Sequence, residues 1–79
     1  MKNKHNEKYL LIGKAISEER RLKGLSQQEL AEKIGVSKSY ISKIEAPNCE
    51  KTFSLEILFD IAQALNIPVT QLFKYLKKE

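Results

Sequence analysis

The chain has 79 residues, 14 basic and 10 acidic side chains, a net charge of +4 and a pI near 9.3, and its 42% hydrophobic content supports a core rather than a disordered chain. No apolar run is long enough to span a membrane or to form a signal peptide, and one cysteine, Cys49, excludes an intramolecular disulfide and fits a reduced, cytoplasmic setting. The basic balance favours an anionic partner without naming one, and a core of this size is modest enough for a partner subunit to help it.

In chain order, residues 1–8 lack periodicity and read as a mobile, charged tail ahead of one domain over 9–79. Tyr9, Ile12, Ile16 and Leu22 recur at helical spacing, and Gly24 supplies the left-handed position that ends a first helix. Ser26 caps a second helix, with Glu29 three residues on completing a capping box, and Leu30, Ala31 and Ile34 form its inner face. Gly35 ends it. Ser37 caps a third helix carrying Tyr40, Ile41 and Ile44, and "APNCEKTF" breaks the pattern as a loop. Ser54 caps a fourth helix with Leu55, Leu58, Ile61, Ala62 and Leu65. "NIP" separates it from a fifth with Val69, Leu72, Phe73 and Leu76. The expected fold is all-α, with five helices and no strand. Its core contains Ile12, Ile16, Leu30, Ala31, Ile34, Val36, Ile41, Ile44, Leu58, Ile61, Ala62, Leu65 and Leu72.

The corner between helices two and three is only "GVS". Gly35 admits a left-handed backbone there, Val36 can plug the angle, and the small Ala31 one turn earlier lets the helices approach. With Ile41 and Ile44 beneath, Lys38, Ser39, Ser42 and Lys43 point outward. Four hydroxyl and ammonium side chains with no acid among them suit a helix laid in a DNA major groove, where they can reach base edges and phosphates.

These residues carry a resemblance. Gln27 to Ala46, through Gln27, Leu30, Ala31, Gly35, Val36, Ser37, Ile41, Ser42, Ile44 and Glu45, resembles the helix-turn-helix of the phage repressor and Cro (Xre) family. The likeness extends through "SLEILFDIAQALNIPVTQLF" and covers most of Leu10 to Phe73, giving a lambda-repressor-like domain. The layout is similar to the DNA-binding regions of Sin-type repressors and restriction–modification controller proteins. The loop "APNCEKTF" is slightly longer than the link common in the family and carries Glu50.

The resemblance implies that Gln27, opening helix two, holds a phosphate with its side chain and the helix N-terminus; the alternative is a solvated first-turn residue. It places Ser37, Lys38, Ser39, Ser42 and Lys43 against bases or phosphates. Tyr40 has two open readings, packing at the helix edge or donating its hydroxyl to a phosphate. Lys51 and Thr52 either touch the DNA backbone from the loop or remain solvated. Arg20 stands where an apolar residue would face helix three, and in the family an arginine there and a glutamate at the position of Glu45 form a buried ion pair that fixes helix three.

Enzymatic chemistry has little support. His5 is the only histidine and lies in the tail, the adjacent Glu18 and Glu19 read as solvated surface, and Cys49 reads as an incidental thiol. No cofactor, metal or small-molecule site is evident. From Phe53 to Pro68 the only charges are Glu56 and Asp60, so helix four should face away from DNA, while Lys2, Lys4 and Lys8 form either a solvated tail or an arm along the phosphates.

The expected function is sequence-specific binding of double-stranded DNA by a transcription regulator that acts as a homodimer on a pseudo-palindromic operator. Ile57, Phe59, Val69, Phe73 and Leu76 exceed what one helix face can bury and are the expected dimer interface. The alternative is an antitoxin-like or adaptor module with a protein partner on the same scaffold. RNA binding is disfavoured, since neither an aromatic platform nor an Arg-rich segment is present.

Overall fold

A computed structural model describes residues 4–47 and 51–76. Four α-helices follow one another: α1 (Asn6–Leu22), α2 (Gln27–Ile34), α3 (Lys38–Glu45) and α4 (Leu55–Leu65). The fifth element is a 3-10 segment, Val69–Phe73, rather than an α-helix. Pro68 opens it, and i→i+3 bonds run from the Gln71 N–H to the Pro68 carbonyl and from the Leu76 N–H to the Phe73 carbonyl, both 2.9 Å. The described residues contain no strand.

The caps are local and are made by the residues whose chemistry suits them. Ser26 Oγ accepts from the Glu29 N–H at 3.0 Å, and Glu29 Oε1 accepts from the Ser26 N–H at 2.8 Å. Ser37 Oγ accepts from the Tyr40 N–H, and Ser54 Oγ from the Ile57 N–H. At the other ends the chain turns left-handed. Gly24 (φ 72°) follows α1, and the Leu25 N–H bonds back to the Arg20 carbonyl at 3.1 Å. Gly35 (φ 76°) follows α2, and Asn66 (φ 57°) follows α4. Asparagine is the side chain that best tolerates that conformation after glycine.

The helix stripes close on one core: Ile12, Ile16, Leu30, Ala31, Ile41, Ile44, Leu58, Ile61, Ala62, Leu65 and Leu72. Ile34 and Val36 are only partly buried at its edge, because each sits beside the exposed Gly35 corner. Ala15 and Gly13 are buried as well.

Two regions differ from the sequence expectations. Helix α1 begins at Asn6, so the last residues of the expected tail are helical, and Asn6 Oδ1 accepts from the Lys51 N–H at 3.1 Å. Glu19 is not solvated surface, and Glu18, though partly exposed, is tied down beside it. They bind the chain that follows α4: Glu19, 5% exposed, accepts from Gln71 Nε2 at 3.1 Å and Lys74 Nζ at 2.8 Å. Glu18 accepts from the Tyr75 hydroxyl and lies 3.4 Å from Lys74 Nζ. Gln71 and Lys74 are three apart, so a 3-10 turn and its exit bring both over one carboxylate. The Lys14 ammonium sits 4.6 Å over the Tyr75 ring from the neighbouring turn of α1. The Tyr75 hydroxyl chiefly holds the Glu18 carboxyl below its ordinary range, and the Lys74 ammonium does the same for Glu19.

Candidate nucleic-acid interface

Helices α2 and α3 are joined by Gly35, Val36 and Ser37. The positive φ of Gly35 lets the Val36 N–H reach back to the Ala31 carbonyl at 3.0 Å, and Ser37 at once opens α3. The corner costs little because its two unusual demands fall on the residue types that meet them. Ile41 and Ile44, fully buried or nearly so, then fix the rotation of α3. Lys38, Ser39, Ser42 and Lys43 are exposed and, with Ala46, line one open depression. Neither ammonium has an acidic partner among the described residues, so two uncompensated positive charges and two hydroxyls share this face. Ser37 is exposed too, but its Oγ is committed to the cap.

Tyr40 is half-buried and packs against the core, which supports the packing reading for its ring. Gln27 is half-buried at the first position of α2, and its Nε2 donates to Glu45 Oε1 at 3.0 Å. Arg20 grips the same carboxylate from α1: Nε to Oε2 at 2.8 Å and a terminal nitrogen to Oε1 at 2.9 Å. Its other terminal nitrogen donates to the Leu25 carbonyl at 2.7 Å. Both side chains of the pair are at least 93% buried, and the Glu45 carboxylate raises the Arg20 pKa further above its ordinary value. One carboxylate thereby ties the end of α3 to α1 and to the start of α2.

Lys51 corrects the sequence expectation for the loop. It is not solvated: it is 6% exposed, and its Nζ donates to the Ile44 carbonyl at 3.0 Å and to the Ala46 carbonyl. Thr52 is exposed, whereas Cys49 and Glu50 lie outside the described residues, as do Lys2 of the tail and the lysines after Leu76. Of the apolar residues expected at a dimer interface, Phe59 is half exposed, while Ile57, Val69, Phe73 and Leu76 are partly buried against the core. Leu55, one turn before Phe59 on α4, is 61% exposed.

Sequence reasoning missed Gly13. A Cβ built there would lie 2.3 Å from the Ile44 carbonyl oxygen, so α1 and the end of α3 approach as closely as they do only because no side chain intervenes. The visible signal was an isolated glycine inside a helical pattern.

Residues 16–72 match the helix-turn-helix family model, and the chain belongs to that family, in its Xre/Cro–C1 type. Among individual relatives, the transcriptional regulator SinR of Bacillus subtilis is 42% identical over 59 residues, 75% of this chain and 52% of SinR. The chain thus spans about half the length of that relative. The restriction–modification controller protein C.AhdI from Aeromonas hydrophila is similar over 90% of this chain and 100% of its own, at 32% identity and a TM-score of 0.81. SinR in complex with DNA is similar over 77% of this chain and 95% of that one, at 43% identity and a TM-score of 0.70. No helix among the described residues is long and apolar enough to cross a membrane.

Proposed function

We propose that this chain is a sequence-specific reader of double-stranded DNA and acts as a transcription regulator. Helix α3 lies in the major groove with Lys38, Ser39, Ser42 and Lys43 toward bases and phosphates. Gln27 and the N-terminus of α2 meet the backbone. The observation that carries this reading is the pairing of an uncompensated basic and hydroxyl face with an underside held by Arg20, Glu45 and Gln27. The likeness to SinR, solved with DNA, supports it. Two copies reading half-sites about one helical turn apart give a longer site than one short helix can. The exposed Leu55 and Phe59, beside the half-buried Ile57, Val69, Phe73 and Leu76, supply apolar surface for that contact.

Titration of Lys38→Ala and Lys43→Ala against a selected duplex and a random one, at several salt concentrations, tests the reading. Loss of a phosphate contact weakens both duplexes alike and lowers the salt slope by about one. Loss of a base contact relaxes preference at one position, at a cost of about 1–3 kcal/mol. Unchanged affinity in both variants would remove α3 from the interface. Sedimentation equilibrium at micromolar protein tests the dimer; a monomer that binds DNA one copy per site rules it out.

A further inference from the structure

Among the four α-helices, α3 ends differently. Helices α1, α2 and α4 run into left-handed residues, Gly24, Gly35 and Asn66, whose turn lets following N–H groups return to the last carbonyls. Helix α3 runs into Ala46 in extended conformation (φ −65°, ψ 130°), which sends the chain away. The final turn of any helix leaves carbonyls without i+4 partners, and burial makes that costly. Here the partner is a side chain. The Lys51 ammonium, at the far side of the loop, donates to the Ile44 and Ala46 carbonyls from a buried position. A cation at this end also opposes the negative pole of the helix. Beside the Ile44 carbonyl stands Gly13 as well, whose missing Cβ leaves the oxygen its space. The loop segment bearing Lys51 is itself moored to α1, through the Lys51 N–H on Asn6 and by Phe53, edge-on to Tyr9 at 5.0 Å.

The geometry points to a positioning role. Lys51 and Gly13 form a socket around the Ile44 carbonyl that sets where α3 sits, so Lys51 governs sequence recognition through α3 and does not itself contact DNA. This rests on the DNA-binding reading above. A lysine that bound phosphate from the loop would act on every sequence alike. A lysine that seats the recognition helix acts on the fit of α3 to its site.

Two measurements test this. Wild-type protein is first treated with an acetylating reagent and the labelled lysines are mapped. Lys38 and Lys43 should label readily in the free protein and be protected by DNA, whereas Lys51 should label slowly with or without it. A Lys51 that labels readily in the free protein and is protected only by DNA overturns the proposal. Lys51→Met is then compared with wild type at a temperature where both are folded. The variant should lose affinity for its selected duplex by about tenfold, the scale of a lost hydrogen bond to a charged group. Its affinity for random duplex, and the salt slope of that binding, should not change. Gly13→Ala, which presses on the same Ile44 carbonyl, should lose affinity for the selected duplex in the same selective way. A Lys51→Met variant that weakens both duplexes equally, or that lowers the random-duplex salt slope by about one, makes Lys51 a phosphate contact and overturns the socket. If the wild type binds no duplex, the DNA-binding reading falls by itself. The socket is still judged by hydrogen exchange, since Lys51→Met should open the last turn of α3 while α4 stays protected, and equal protection in both proteins would overturn it.

Discussion

The two sides of α3 are built on opposite principles. Its outer face carries short or flexible polar side chains, Lys38, Ser39, Ser42 and Lys43, exposed and without acidic partners among the described residues. Its inner face and C-terminal end carry groups that are almost entirely committed: Ile41 and Ile44 in the core, Glu45 between Arg20 and Gln27, and the Ile44 carbonyl between Gly13 and Lys51. A short helix gains little from its own propensity, so it stays in place through tertiary contacts. The face left unsatisfied can therefore be spent on a ligand, because the underside alone holds the helix.

The contrast predicts a ranking of substitutions. Glu45→Gln should have the largest effect on stability. It strands the buried Arg20 guanidinium without a counter-charge, a loss of about 3–5 kcal/mol in a urea titration. A midpoint close to wild type would mean that water solvates Arg20 or another group neutralises it, and the underside would be less closed than described. Gly13→Ala comes next. Its Cβ meets a backbone carbonyl, which cannot rotate away, so α1 and α3 must separate at about 1–3 kcal/mol. An unchanged stability there would show that the helices can slide. Lys43→Ala belongs to the outer face and should move stability by no more than about 0.5 kcal/mol while weakening DNA binding.

How much of this was legible depended on the range of the interaction. The capping box of Ser26 and Glu29, the Gly35 corner and the Ser37 cap each involve residues at most a few positions apart, so the sequence pattern contained both partners. The roles of Glu19 and Lys51 were hidden for the opposite reason. Gln71 and Lys74 reach Glu19 across 52 and 55 residues, and Lys51 donates to carbonyls, which every residue possesses and no sequence pattern marks. The fifth element was misread because Val69, Leu72, Phe73 and Leu76 fall at spacings that fit a 3-10 turn as well as an α-helix. Asn66 was read, within "NIP", as part of the break after helix four, but its left-handed capping role was not, although asparagine is a known alternative to glycine at that position.

Acid should sharpen the comparison with the smallest effect, confined to a third region. Glu18 and Glu19 have lowered pKa values, so their contribution is complete above the ordinary carboxylate range and is lost as pH falls through the lowered values. Lys74 and Tyr75 have raised values, so theirs is complete at neutral pH and lost only as pH rises through those raised values. At neutral pH the Tyr75 ring should shift the NMR signals of the Lys14 side chain, and that shift should vanish on acidification while the α4 amide signals hold. A Lys14 shift that survives well below the carboxylate range would show that the ring stays in place without Glu18.

The central claim is that α3 reads a particular DNA sequence with its outer face. Selection of bound molecules from a pool of random duplexes tests it most directly, performed with wild type and with Ser42→Ala and Lys43→Ala. The wild type should enrich one site of two related half-sites about one helical turn apart, and a variant should relax preference at a defined position within each half. A pool that emerges with no sequence enriched, or the same site enriched with undiminished preference by both variants, would contradict the account.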